Sequence, residues 1–444
     1  MNIIQKIQSR AGIRASLSNI GWLGSDRIIR LFGAVVVSTV VARYLGPSQF
    51  GLLNYGLAIY ALFNVMSNLG LDFLVVREVA VNEDQEPRIL GTAFVLKAAA
   101  SVVTTVAAVF AARLLDPHDH ILVEIVALMS IASISQAFDV IDFFFQARTQ
   151  SHYTVMARTT VFVVAALARL PAVFLHAPLV VFAWIAALEV LFSELALAGS
   201  YLRFRRPLPR WKWHLPLARS FLMESWPLLV SSLMIMVYMR TDQILLGKLA
   251  SKAIVGQYTV AVRLSEIWYN IPVIICVSVV PRLLKLYDAD RQKFYARLQR
   301  LYESMILISV LVSISALFAG PLIVRILFGR QYAPAAAILS VHIWTGVFVF
   351  VGVVGGQQIV QEKITISSLY KTLAGAVVNV VLNLLWIPRW GGIGSAMATL
   401  VAYSVAAYFA DVLHPRTRHM FRMKTRAYLE FWMLPRLLFQ RATE

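Results

Sequence analysis

Charged side chains lie inside several of the most apolar stretches of this sequence. Lys97 lies within AFVLKAAASVV, and Arg240 lies within MIMVYMRTDQILL. An ionisable group inside a bilayer is costly unless it is paired or faces water, so such residues are candidates for function. Arginine and lysine are also the side chains that stabilise phosphate in a dry setting. We therefore expect a cavity that binds a phosphate-bearing anion through seven basic residues: Lys97, Arg27, Arg30, Arg169, Arg240, Arg263 and Arg158.

Carboxylates in the same stretches raise the question of ion coupling. Asp139 and Asp142 are spaced so that they share one face of a helix. Two neighbouring carboxylates in a low dielectric do not both ionise freely, so this pair would hold a proton, bind a cation or pair with an arginine. Arg148 or an arginine of another helix would supply such a pair. The candidate ion-coupling residues are Asp139, Asp142, Asp26, Asp242 and Glu266.

Helical spacing predicts which charged side chains in the first half of the sequence share a helix face. Arg158 and Arg169 are close to three turns apart and therefore share one stripe of a helix. Asp26 precedes Arg30 by one turn, in the favoured order for an ion pair. Arg27 points away from Asp26, either into a cavity or toward the membrane interface by snorkelling.

The charged residues in the second half of the sequence are compatible with two arrangements. Arg240 and Asp242 point to opposite sides of a helix and cannot pair with each other. Arg263 and Glu266 can pair along one helix. A structural network between neighbouring helices, with Asp242 paired to Arg263, is the alternative to a role of these residues in transport.

The composition indicates which solvent these residues meet. The 444 residues are 59% hydrophobic and only 14% charged, whereas a soluble domain carries about 25% charged residues. A helix needs about 20 apolar residues to cross the hydrocarbon. The sequence therefore predicts an all-α integral membrane protein with twelve transmembrane helices: 19–43, 51–76, 89–113, 121–147, 153–175, 178–202, 222–247, 254–281, 301–328, 334–360, 364–387 and 391–413.

The basic residues predict the orientation. Most of the 41 lysine and arginine residues fall in segments that are cytoplasmic if both termini are cytoplasmic. This bias explains the net charge of +18 without any nucleic acid partner. We expect five regions in chain order: a cytoplasmic interfacial segment, a six-helix bundle, a basic cytoplasmic linker, a second six-helix bundle and a basic amphipathic tail on anionic lipid. Their bounds are 1–18, 19–202, 203–221, 222–413 and 414–444.

A weak internal repeat supports the two bundles. Trp22 is followed by one predicted span and a turn that ends at Gly51, and Trp226 is followed in the same way by Gly256. Both glycines would let the next helix begin tightly. Six spans in each half would make the bundles parallel, with a central cleft between them.

Two segments carry a family resemblance. ARYLGPSQFGLLNYGLAIYALFNVMSNLGLDFLVVRE, residues 42–78, resembles the opening signature of Wzx-type polysaccharide and O-antigen exporters. YMRTDQILLGKLASKAIVGQYTVAVRLSEIW, residues 238–268, is the weaker match in the second half. These exporters are the lipid-linked oligosaccharide flippases of the MATE-like MOP superfamily.

The resemblance implies a function and a location. It implies that undecaprenyl-diphosphate-linked oligosaccharide moves from the cytoplasmic to the periplasmic leaflet of the bacterial inner membrane by alternating access. Coupling to H+ or Na+ and contact with polysaccharide-assembly enzymes stay open.

Two other classes of protein are weighed against this one. A MATE-like antiporter of small cations would need an acidic, aromatic cavity instead of a basic one. A membrane enzyme of polysaccharide assembly would need a sizeable outside loop, and the predicted outside loops are short. We therefore expect no catalytic residue, no metal site and no cofactor, and no P-loop occurs in the sequence.

Overall fold

The computed structural model describes residues 3–204, 210–364 and 366–433, and its first described side chain is that of Arg30. Within these ranges the chain is helical, with short 3-10 segments between helices. The first seven helices are α1 (Ile3–Ser67), α2 (Asp72–Val81), α3 (Glu86–Leu115), α4 (His120–Ser133), α5 (Val140–Ala147), α6 (His152–Phe174) and α7 (Leu179–Phe204). The others are α8 (Leu215–Leu249), α9 (Lys252–Glu266), α10 (Asn270–Ala289), α11 (Arg291–Phe328), α12 (Ala333–His342), α13 (Thr345–Gln361), α14 (Ile366–Ala407) and α15 (Arg418–Glu430).

The chain is an all-helical membrane protein. Nine helical segments of the described residues are long and apolar enough to cross a bilayer, or ten if the bent pair α12–α13 is one span. Two of the longest elements contain a break: Gly46 in α1 has φ 70° and Gly391 in α14 has φ 52°. Glycine is favoured at positive φ because it has no side chain to clash with the backbone.

Two further breaks are short 3-10 segments, of which the first has no glycine or proline and the second is followed by Pro272 in the first turn of α10. The 3-10 segment Ile134–Asp139 separates α4 from α5, and Ile267–Tyr269 separates α9 from α10. At the first break, the Ser133 and Ser135 hydroxyls donate to backbone carbonyls one turn earlier, at 2.7 Å each. Such bonds compete with the helical ladder and bend helices.

The chain divides into two compact units. The first unit comprises residues 1–45 and 52–236, and the second comprises residues 46–51 and 237–444. The core of the first unit is rich in phenylalanine, with Phe143, Phe144 and Phe145 packed near Tyr201. The core of the second unit surrounds the fully buried Tyr302. The five regions expected from the sequence stay a prediction.

The two repeat glycines lie against each other inside the second unit. A Cβ added to Gly51 would lie 1.6 Å from the backbone oxygen of Lys252 and 2.8 Å from the nitrogen of Gly256. A Cβ added to Gly256 would lie 2.1 Å from the oxygen of Pro47. The segment 46–51 therefore packs backbone to backbone against α9, and only glycine fits at either position.

Helix α15, in the predicted amphipathic tail, is docked onto the second unit. The buried Asp411 carboxylate accepts from Lys371 Nζ at 2.5 Å and from Lys424 Nζ at 2.6 Å. Lys424 also donates to the backbone oxygen of Ala407 at 2.7 Å. His419 lies 2.9 Å from the Glu362 carboxylate just after α13. The structure therefore holds α15 by ion pairs within its own chain.

Candidate functional site

The first unit contains a polar cavity of about 490 Å3. Its walls come from α1, α3, the 3-10 segment before α5, α6 and α7. Three basic side chains line it, those of Arg30, Lys97 and Arg158. Three acidic side chains line it as well, those of Asp139, Glu189 and Glu194.

Lys97 is buried at the wall of this cavity. Its side chain is 1% exposed, and its Nζ donates to Asn68 Oδ1 at 2.6 Å and to Asp139 Oδ2 at 3.0 Å. The same nitrogen lies 5.0 Å from the centre of the Phe143 ring. Lys97 is therefore a desolvated cation whose charge is balanced by a neighbouring helical segment.

Arg158 joins three carboxylates. Its guanidinium bonds Asp139, lies 3.0 Å from Glu194 Oε1, and lies 3.6 Å from Asp142 Oδ2. Asp139 consequently has two cationic partners, Lys97 and Arg158. The structure thus places Asp139 and Asp142 beside an arginine of another helix, one of the arrangements that the sequence left open.

The other basic residues that we expected at the cavity in the first unit differ from Lys97 and Arg158 in their contacts. Arg169 pairs with Glu189 of α7 at 2.8 Å. Arg158 and Arg169 therefore each bind a carboxylate of α7, as two residues of one stripe would. Arg30 lies 5.5 Å from the centre of the Phe162 ring at the cavity wall. The side chains of Asp26 and Arg27 lie outside the described residues, so their predicted roles stay predictions.

Among the described residues, the basic and acidic side chains that line the cavity are equal in number. The excess of cations expected from the sequence stays a prediction. An unpaired buried charge is strongly destabilising, so each buried cation of the cavity needs a counter-charge. An incoming anion would have to replace these carboxylates.

A second polar cluster lies within the second unit, around the buried Asp242. Its carboxylate accepts from the Tyr258 hydroxyl and lies 3.4 Å from Thr399 Oγ1. The amide nitrogen of Asn379 donates to Thr399 Oγ1 at 3.5 Å, and Asn379 Oδ1 is buried without a hydrogen-bond partner among the described residues. The Ser395 hydroxyl donates to Asn383 Oδ1 at 2.7 Å, one turn further along. A carboxylate, amide oxygens and hydroxyls are the ligands that hard cations take.

The pairing of Asp242 with Arg263, which the sequence left open as an alternative, is not among the contacts of Asp242 in the described residues. Among the described residues, Asp242 bonds Tyr258, Gln243 and Thr399. Arg263 instead lies 5.6 Å from the centre of the Phe50 ring. Arg240 has a buried Nε without a hydrogen-bond partner in the described part of the chain. Glu266 is half-buried at the end of α9.

Sequence reasoning missed several residues of both clusters. Glu189 and Glu194 are five residues apart on one helix, a spacing that does not predict a shared face, yet each binds a different arginine. Asn379 and Asn383 stand one turn apart in VVNVVLNLLW, a pair of amides in an apolar helix. That spacing was a readable signal for a polar site inside the membrane.

Comparison with solved structures defines the class of protein. An inward-facing multidrug resistance MATE transporter of the MOP superfamily matches with TM-score 0.70 and 13% identity, covering 94% of this chain and 99% of that one. The lipid II flippase MurJ in an inward closed conformation matches with TM-score 0.67 and 13% identity, covering 94% and 92%. The fold is therefore that of the MATE-like transporters.

Sequence families place the chain more narrowly. The family model described as polysaccharide biosynthesis protein matches residues 16–287, and the MatE model matches residues 227–385. The chain belongs to the polysaccharide biosynthesis protein family, a family of transporters and not of enzymes. A probable flippase, AglR of Haloferax volcanii, is 26% identical over 183 residues. That match spans 39% of this chain and 37% of the relative.

Proposed function

We propose that this protein moves undecaprenyl-diphosphate-linked oligosaccharide from the cytoplasmic to the periplasmic leaflet of a bacterial inner membrane by alternating access. The family supports transport of a lipid-linked sugar, and the relative AglR carries the name of a flippase. The fold supports it through the likeness to the lipid II flippase.

The observation that carries the proposal is a pair of cations in the first unit, the buried Lys97 and the half-buried Arg158. Lys97 and Arg158 share the Asp139 carboxylate within the polar cavity. A diphosphate can replace Asp139 and Glu194 as their partner, because phosphate oxygens accept the same charge-assisted hydrogen bonds. The released carboxylates can then take up protons or a cation, so that no charge stays unpaired in the low dielectric.

The proposal includes twelve spans in two parallel six-helix bundles, with both termini cytoplasmic. The breaks at Gly46 and Gly391 support this number. The element Phe32–Val81 has 50 residues, which is about 75 Å of helix, more than twice the roughly 30 Å of hydrocarbon. The element Ser367–Val412 has 46 residues and is divided in the same way.

Export of a small cation is the second candidate function. The carboxylates of Asp139, Glu189 and Glu194 and the ring of Tyr60 line the same cavity. The MatE match over residues 227–385 and the fold of multidrug MATE transporters also favour this candidate.

Reconstitution in liposomes distinguishes the two candidates. We would measure leaflet exchange of a fluorescent polyprenyl-diphosphate oligosaccharide by the native chain and by the cavity variants Lys97→Ala and Arg158→Ala. Arg113→Ala is the matched control, because Arg113 is an exposed cation on the same helix as Lys97. We expect loss of exchange in the cavity variants and normal exchange in the control. Efflux of a cationic dye without exchange of the lipid would refute the flippase proposal.

Ion coupling is proposed at Asp242. The Asp242 carboxylate and the Thr399 hydroxyl, 3.4 Å apart, supply oxygens suited to Na+, and the amide of Asn379 lies beside Thr399. We expect Na+ to raise the thermal stability of the native chain and not that of Asp242→Asn, since a cation that binds only the folded state stabilises it. Equal stabilisation of both chains would move the coupling site elsewhere.

A further inference from the structure

A second concavity of the first unit opens between α6 and α7. We call it the α6–α7 groove and define it by Val164, Ala165 and Ala168 of α6 and by Leu188, Phe192 and Ala196 of α7. Its volume is about 560 Å3, and its walls are apolar except for Thr160 and Glu189. A volume between roughly 300 and 1,000 Å3 is typical of sites for small molecules.

The depth of the groove comes from the sizes of its residues. Ala165 is 7% exposed, whereas Val164 and Phe192 are 60% and 52% exposed. The small Ala165 therefore lies at the floor of the groove, and the larger Val164 and Phe192 form its rims. In a chain whose helices cross a bilayer, rims of this kind face lipid.

The groove and the charged cavity share one wall, helix α7. Each successive residue of a helix is turned by about 100°. Val190, Ser193 and Glu194 lie on one side of Glu189 around α7 and line the charged cavity. Leu188, Phe192 and Leu195 lie on the other side and line the groove. Glu189 itself lines both.

An ion pair closes the junction between the two spaces. Arg169 of α6 binds Glu189 of α7 at 2.8 Å, and the two side chains are 12% and 21% exposed. This bond joins the two helices at the residue that belongs to both spaces. An anionic group that took Arg169 from Glu189 would open the junction.

We propose that the α6–α7 groove holds the part of an isoprenoid chain nearest the diphosphate while the diphosphate occupies the charged cavity. The inference rests on the proposed function, because it assigns the two chemical parts of a lipid-linked substrate to two adjoining spaces. Lipid tails are as apolar as leucine, so the groove gains little from the hydrophobic effect. Selectivity for the substrate therefore comes from shape, and from the attachment of this chain to a head group that the cavity binds.

Photo-crosslinking of the native, full-length chain in liposomes tests the site. The probe is a polyprenyl diphosphate with a diazirine on the isoprene unit next to the diphosphate. We expect adducts on α6 and α7, and their loss on addition of unlabelled polyprenyl diphosphate but not of the same amount of phospholipid. Equal competition by phospholipid would overturn the inference, because the groove would then hold bulk lipid.

Groove-filling variants add a functional measurement. Ala168→Trp is compared with Ala99→Trp, which enlarges an exposed alanine of α3 outside the groove. We expect slower leaflet exchange and fewer adducts on α6 and α7 for Ala168→Trp only. Normal exchange by the native chain with adducts on other helices would refute the groove and leave the flippase function intact. Absence of exchange by the native chain would refute the function itself.

Discussion

Lys97 carries its charge where it has almost no access to water. Its side chain reaches only Asn68 and Asp139, at 2.6 and 3.0 Å, among the described residues. Depth in an apolar helix made it a predictable functional candidate, because snorkelling needs a helix end nearby. Its partner was not predictable, since helical periodicity says nothing about which side chain of another helix lies opposite.

Two substitutions can separate the contribution of Lys97 to stability from its role in transport. Lys97→Met leaves Asp139 with Arg158 alone, and breaking a buried ion pair costs about 3–5 kcal/mol. We expect a lower melting temperature and no leaflet exchange. Adding Asp139→Asn removes the uncompensated carboxylate, so thermal stability should recover in part while exchange stays absent.

Thermal unfolding and leaflet exchange are measured on the native, single and double variants. A double variant that exchanges lipid as the native chain does would show that Lys97 serves folding alone. An unaltered melting temperature in Lys97→Met would contradict the proposed ion pair.

The His419–Glu362 ion pair makes the docking of α15 sensitive to pH. The hydrogen bond to Glu362 raises the pKa of His419 above 6.5, against the effect of burial. Burial would raise the pKa of Glu362, but its hydrogen bonds with His419 and Gln358 outweigh burial and lower it below 4.5. The stabilisation is therefore complete between about pH 4.5 and 6.5. It is lost as pH rises through the pKa of His419 or falls through that of Glu362.

Melting temperatures measured from about pH 6 to about pH 9 check this expectation. The native chain should lose stability with rising pH, and His419→Gln should remove that part of the dependence. His118→Gln, at an exposed histidine in the turn between α3 and α4, is the control. A native-like pH profile in His419→Gln would contradict the role of the pair.

Helix breaks determine where the charged groups stand along the spans. The sequence LGPSQFG predicts the interruption at Gly46 and Pro47, because glycine and proline end helices. The 3-10 segment Ile134–Asp139 has neither residue, so its sequence reads as continuous helix. Its bend depends on serine bonds to the backbone, and serine makes such bonds in many straight helices as well. The position of Asp139 at the end of this segment was therefore beyond sequence reasoning.

The contact between Gly51 and Gly256 predicts a sharp difference between two glycine substitutions. Gly51→Ala places a methyl group on the backbone oxygen of Lys252, which cannot move away as a side chain would. Overpacking costs about 1–3 kcal/mol in ordinary cores, and we expect at least that loss here. Gly356→Ala has nothing within 4 Å of its added Cβ, and alanine is favoured over glycine in helices by roughly 0.5–1 kcal/mol.

Denaturation of the two variants in detergent provides the measurement. Gly51→Ala should unfold at a lower temperature than the native chain, and Gly356→Ala at the same or a higher temperature. Equal behaviour of the two variants would mean that segment 46–51 does not pack against α9.

The proposed topology makes the turns alternate between the two sides of the membrane. Cys276 is the only cysteine and is buried, so the native chain is a suitable background for introduced cysteines. Ser251→Cys, between α8 and α9, should react with an impermeant maleimide in intact cells. Gln292→Cys, at the start of α11, should react only after permeabilisation. The reverse pattern would place the termini outside.

The family predicted from the sequence and the charge expected in the cavity differ in outcome. Membership of the polysaccharide biosynthesis family is confirmed by the match over residues 16–287. Both the span pattern and the short motifs predicted it, because apolar length and Gly-Pro turns are properties of local sequence. The excess of cations expected in the cavity stays a prediction, since tertiary packing brings Asp139, Glu189 and Glu194 together with Arg30, Lys97 and Arg158 among the described residues.

The hexapeptide 46–51 belongs to the second unit although it is encoded before most of the first. A gene fragment that starts at the basic linker would therefore lack a piece of the unit it is meant to produce. The expressed fragment would expose the backbone of α9 at Gly256, which contacts Pro47 and Gly51 in the whole chain. Anyone who wishes to express the C-terminal half alone would need to supply this hexapeptide in trans or graft it onto the fragment.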